Sequence, residues 1–221
     1  MRFRLRLIDL VLVLLIGIMA IRHWPYDPAK EAWRVGFRQM IAGDHETALA
    51  RFDDVLTAQP GFQRAFFYRG YSLFFLGRFN EAAQDFSEGL SLGGDPYMLF
   101  WRYMARRRSG AEGDGELLAG LRERNLDLDG WPGILGATLM GTASEDAVLA
   151  RAVGENADSQ AGLLAEAHFY LGQRRLIEGE RDKALAHFRK AVATGAINYL
   201  EQSAAAQEVL ALSSQRPEES R

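Results

Sequence analysis

Small and aromatic residues of this chain recur at a fixed interval. Residues 32–60, AWRVGFRQMIAGDHETALARFDDVLTAQP, align with residues 66–94, FFYRGYSLFFLGRFNEAAQDFSEGLSLGG. Gly36 falls on Gly70, Gly43 on Gly77, Ala48 on Ala82, Phe52 on Phe86 and Leu56 on Leu90, each at an offset of 34. A third copy, residues 166–195, carries Gly172, Gly179, Ala184, Phe188 and Val192 in the same places. A period of this length fits one helix–turn–helix unit, which cannot bury its apolar face alone and must stack on its neighbours. Each position has a task. Gly36, Gly70 and Gly172 let paired helices approach closely. Gly43, Gly77 and Gly179 end a first helix with a left-handed cap. Ala48, Ala82 and Ala184 fill a narrow crossing where more bulk would overpack. Phe52, Phe86 and Phe188 plug the groove between helices, and Pro60 stops a second helix.

These positions resemble the tetratricopeptide repeat (TPR), which implies an all-α, superhelical solenoid of helix–turn–helix hairpins. The expected organisation is two clear repeats at 28–94, divergent helical repeats at 95–164, a clear repeat at 165–198, a capping helix at 199–214 and a disordered tail at 215–221. In the divergent part, DPYMLFWRYMARRRSG and GELLAGLRERN have apolar residues at helical spacing, separated by a turn at AEGDG. WPGILGATLMG and SEDAVLARAVG read as a further hairpin, with Ser144 as the N-cap of its second helix. Roughly eleven helices follow from this pattern, and no strand is expected.

Residues 1–27 differ in kind. Arg2, Arg4 and Arg6 precede an apolar run, and Leu10 to Ile21 carries no charge. The run reads as an uncleaved signal anchor crossing a membrane through residues 7–26, flanked by Arg22 and the interfacial Trp24 and Tyr26. The competing reading is a cleavable signal peptide, with Ile18-Met19-Ala20 as a poor cleavage site. The arginines before the run favour a cytoplasmic N-terminus and an exported body: a bacterial inner-membrane protein with its body in the periplasm, or a periplasmic one if the segment is cleaved. The chain has no cysteine, which removes disulfides, thiolate chemistry and a lipidated N-terminal cysteine. A formal charge of −3 gives no reason to expect a nucleic-acid partner.

The order of features also resembles the bacterial NlpI lipoprotein family: two good repeats, a divergent middle, one good repeat and a C-terminal helix. DPYMLFWRYMA, DGWPGILGATLMG and LAEAHFYLGQRRLIEGERDKALAHFRKAVATGAINYLE carry the likeness. It implies a non-enzymatic periplasmic adaptor that binds peptidoglycan hydrolases and a periplasmic protease, and it implies a homodimer. The family's lipid anchor needs a cysteine, so any tether here would be a helix in the inner membrane.

No catalytic constellation stands out, and no cofactor is expected. G-x-S-x-G and H-E-x-x-H are absent, and the glycine-rich pieces lack a phosphate-loop lysine. His45 reads as a solvated turn residue. His168 and His187 lie on paired helices and approach each other, but a zinc site needs three or four ligands. Arg106, Arg107 and Arg108 suit a helix C-terminus, and an acidic partner or lipid head groups are the alternative. Binding is the stronger expectation. Phe66, Phe79 and Phe86 are assigned to the core. The resemblance places Trp33, Phe37, Arg64, Phe67, Tyr71, Phe74, Trp101 and Arg108 on a concave face suited to an extended or helical peptide; packing of its aromatics against the next repeat or a dimer mate is the equal alternative. The leading reading is a tethered adaptor for envelope proteins. An assembly factor for one membrane complex is the alternative.

Overall fold

The computed structural model describes residues 27–214. Among them are eleven α-helices and no strand: α1 (Pro28–Ile41), α2 (His45–Ala58), α3 (Gln63–Phe75), α4 (Phe79–Ser91), α5 (Tyr97–Arg108), α6 (Asp114–Glu123), α7 (Gly133–Leu139), α8 (Glu145–Arg151), α9 (Ala157–Ile177), α10 (Arg181–Ala193) and α11 (Leu200–Ser214). The expected anchor or signal segment, with its membrane residues 7–26, lies outside the described residues. So does the expected disordered tail. Among the described residues, no helix is long and apolar enough to cross a membrane.

The helices pair into stacked hairpins with TPR-like packing, and the repeat residues do the pairing. Gly43, Gly77 and Gly179 adopt φ of 83°, 75° and 79°. This left-handed turn returns two backbone N–H groups to the last helical turn, as when Asp44 N–H reaches the Gln39 carbonyl at 2.9 Å. Ala48, Ala82 and Ala184 are fully buried, as are Phe52, Phe86 and Phe188. A Cβ on Gly70 would sit 2.9 Å from the Phe86 ring, and one on Gly172 would sit 2.5 Å from Phe188. The glycine therefore makes the seat into which the phenylalanine of the second helix fits. Phe66 and Phe79 are half-buried and pack against core residues, so the aromatics assigned to the fold do belong to it.

The middle of the chain sets the curvature. Ser144 caps α8 by accepting from Ala147 N–H at 3.2 Å. Helices α7 and α8 are only seven residues each. A short hairpin cannot hold its neighbours far apart, so α9 closes directly onto α5. Trp101 meets Phe169 with ring centroids 5.4 Å apart, and Phe100 meets Tyr170 at 5.5 Å. Helix α9 also starts well ahead of residue 165, because Asn156 and Ser159 form a reciprocal capping box. The added turns bring Gly162 against Tyr199, where no side chain fits: a Cβ would lie 1.9 Å from the tyrosine ring. The first helices α3, α5 and α9 thus converge on one concave face.

Helix α11 packs on α9 and α10, as an end cap does. Its side chains also reach back across the concave face to α2, α3 and α5.

Candidate protein-binding groove

The eight residues expected on the concave face do come from the first helices, but the structure divides them into covered and open groups. Tyr71 and Trp101 are fully buried and Phe74 is 2% exposed. Their rings form one cluster, with Tyr71 4.9 Å and Phe74 5.4 Å from Trp101. Of the two readings of these aromatics, partner binding or internal packing, the structure shows packing for Tyr71, Phe74 and Trp101. Their apolar area is too large to leave wet, and the chain covers it with α9, α11 and each other. The Gln207 amide of α11 donates to the Tyr71 hydroxyl at 3.2 Å.

Arg108 is also engaged. Its guanidinium pairs with Glu208 of α11 at 3.0 Å and lies over the Phe74 and Phe79 rings, 5.3 and 5.0 Å from their centroids. Glu208 is buried and accepts a second bond from Gln173 Nε2 at 2.8 Å. Its two neighbours have internal partners too, Arg106 with Glu116 at 3.2 Å and Arg107 with Glu112 at 2.8 Å. The three arginines thus tie α5 to the segments that follow it and to α11.

The reading of His45 as a solvated turn residue is corrected. It is buried, stacks on Phe75 at 5.2 Å, and its Nε2 pairs with the Gln207 side-chain oxygen. Gly43 and Asp44 turn the chain inward there, so the ring faces the groove.

The open group is smaller. Trp33 is half-buried, packed on Phe52, Phe62 and Tyr68 with centroids 5.7, 5.0 and 5.2 Å away. Phe37 is 38% exposed and stands edge-on to Tyr68. Arg64 and Phe67 line an open cleft of about 680 Å³ between α3, α5, α9 and the start of α11. Its other walls include Tyr68, Asp95, Tyr97, Glu166 and Glu201. Arg64 is exposed at this cleft, and Phe67 forms part of the wall.

Two carboxyls beside this cleft were not anticipated. Glu166 is buried, yet it accepts from the Tyr97 hydroxyl at 2.6 Å and from the Trp131 indole N–H at 3.2 Å. Burial pushes its carboxyl up, and those two donors pull it partly back. Glu201 is held at about 8, first by burial and then by the nearby Glu166 carboxylate. It accepts a long hydrogen bond from the Tyr170 hydroxyl at 3.4 Å. At neutral pH Glu201 is therefore mostly protonated, and it can donate as well as accept. The sequence held one clue to Glu166: it sits between Ala165 and Ala167, inside a buried run of α9. Nothing local marks Glu201, whose neighbours across the groove lie far away in sequence.

His168 and His187 do meet, with their Nδ1 atoms 3.2 Å apart, and His187 Nε2 lies 3.5 Å from Glu145. Burial, and then the neighbouring ring, lowers His168 to about 4. Burial disfavours the charged form of both rings, and the pair joins α9 to α10, while Glu145 brings in α8. Among the described residues, no group of three or more His, Cys, Asp or Glu side chains is placed to hold a metal ion.

This geometry defines a class: an all-helical solenoid of TPR-like hairpins with an aromatic concave face. No family model matches the chain. The chain is similar to a Haemophilus influenzae protein described as a lipoprotein NlpI homolog, with 29% identity over 182 residues, 80% of this chain and 57% of the relative. It therefore spans little more than half of that relative's length. The solved structure titled MamA RS-1 ArsTM double mutant covers 86% of this chain and 96% of its own, at 18% identity and a TM-score of 0.36.

Proposed function

We propose that this chain is a non-catalytic protein-interaction adaptor that takes a segment of a partner protein on its concave face. The observation that carries this reading is the cleft at the mouth of the groove. Its walls combine aromatic surface (Phe67, Tyr68, Tyr97), an exposed cation (Arg64) and a carboxyl able to donate or accept (Glu201). Such a mixture suits a peptide backbone with alternating side chains better than a small apolar molecule. In this reading residues 7–26 tether the body to the bacterial inner membrane, and the body lies in the periplasm. The partners are envelope proteins, with cell-wall hydrolases or a protease as candidates. The likeness to a lipoprotein supports an envelope setting. A tether would act by raising the local concentration of whatever the groove holds, without making covalent bonds.

The test is site-specific photo-crosslinking in the producing cell. A crosslinker at Arg64, in the cleft, is expected to give discrete protein adducts. One at Glu88, exposed and outside that cleft, is expected to give none of them. Identical adducts from both positions, or none from Arg64, would refute the reading.

A further inference from the structure

The upper part of the groove already holds a helix. Glu201, Ala204, Ala205, Glu208 and Leu212 are the buried residues of α11, and their spacing places them along one face of the helix. That face consists of two carboxyls, two alanines and one leucine, so it brings little apolar surface and two carboxyls whose charged form burial disfavours. Ala204, Ala205 and Leu212 join the apolar core, while the polar contacts of α11 run across the groove from Glu208 to Arg108 and Gln173 and from Gln207 to His45 and Tyr71.

The fit is incomplete. Three polar atoms in this part of the molecule are buried without a partner: Trp101 Nε1, Gln173 Oε1 and His45 Nδ1. Gln173 and His45 touch α11 directly, and Trp101 packs at a tilt against the Tyr71 ring that α11 contacts. Buried polar groups are normally satisfied, so three together mark a surface that α11 does not fully complement. Leu210 of the same helix is 71% exposed, which leaves one of its apolar side chains unused by the fold.

From these observations we infer that α11 is a resident, replaceable ligand of the concave groove, displaced by an acidic, alanine-rich amphipathic helix of a partner protein. The partner places a carboxylate on Arg108 and small residues one turn ahead of it, as Glu208 and Ala204-Ala205 do. It adds the hydrogen-bonding groups that Trp101, Gln173 and His45 lack. This rests on the adaptor reading and gives it a mechanism: the upper part of the groove is closed until a better helix competes for it.

The probe is a fluorescent peptide copying residues 199–214, titrated into the full chain. Loosening α11 with Glu208→Ala and Leu212→Ala is expected to tighten peptide binding at least tenfold over the parent. Adding Arg108→Glu, or placing Glu208→Lys in the peptide, is expected to abolish the gain. In the unaltered chain, hydrogen exchange of α11 amides is expected to run at least tenfold faster than that of α9 amides, since release of α11 is a local opening. Exchange of α11 as slow as that of α9 overturns the inference, and this measurement needs no variant. Failure of a folded, loosened chain to take up the peptide also overturns it. A loosened chain that instead dimerises by exchanging α11 overturns the assignment to a separate partner. The Arg64 crosslinks are read on a chain with α11 intact, so the adaptor reading stands or falls separately.

Discussion

Replacing Tyr71 tests whether the concave aromatics hold the fold or wait for a ligand. The ring is fully buried, with centroids 4.8 Å from Phe75 and 4.9 Å from Trp101, and its hydroxyl accepts from Gln207. Tyr71→Ala removes the ring from a site with no solvent to fill it. Large-to-small changes of this kind cost about 3–5 kcal/mol. For a chain of this size each kcal/mol lowers Tm by about 2–4 °C, so a fall of roughly 12 °C is expected. Tyr71→Phe keeps the ring and loses only the hydroxyl, which costs about 1 kcal/mol, or roughly 3 °C. Thermal unfolding followed by circular dichroism at 222 nm (the helix band) measures both. The ratio matters as much as the size, because a ring held only by Gln207 would make the two variants equal. A Tyr71→Ala chain melting within about 3 °C of the parent would refute the packing argument.

Other predictions follow from the same contacts. Glu201 binds its proton more tightly when folded (about 8) than when unfolded (4.5), so its contribution is fully present below pH 4.5 and is lost as pH rises to about 8. Glu201→Gln is therefore expected to raise Tm at pH 8.5 and leave it nearly unchanged at pH 4.5, measured by paired melts. His168 shows the opposite sign: its folded value of about 4 lies below 6.5, so stability present above pH 6.5 is lost as pH falls towards 4. The ring is only partly buried, so screening limits the effect to about 1 kcal/mol, and His168→Gln should flatten the acid side of the stability curve. Gly172→Ala should destabilise more than Gly36→Ala, since the new Cβ would lie 2.5 Å from Phe188 in the first case and 3.0 Å from its nearest neighbour in the second. Denaturant midpoints of the two variants order them.

The repeat was legible because its physics is local. A left-handed cap at Gly43, Gly77 or Gly179 depends on a few neighbouring residues, and the seat of Phe86 on Gly70 lies within a single hairpin. Periodicity therefore established the helices, their pairing and most of the core. The likeness to the repeat family, not the periodicity, put Arg64 and Phe67 on the concave side, and both line the cleft. For Tyr71, Phe74 and Trp101 the sequence left partner binding and internal packing equally open, and the structure buries all three. A position on the inner face is open only if nothing else in the chain reaches it, and the repeat pattern carries no information about α11.

The sequence by itself determined an all-helical stack of hairpins, and the resemblance to the repeat family supplied the expected inner face of the first helices. Only the tertiary structure decided which part of that face is free. The short α7 and α8 draw α9 onto α5, and Gly162 with Tyr199 sets where α11 begins. From there Glu208 reaches Arg108, one hundred residues away along the chain. Such a contact depends on the summed curvature of every intervening repeat, and no local pattern records that sum.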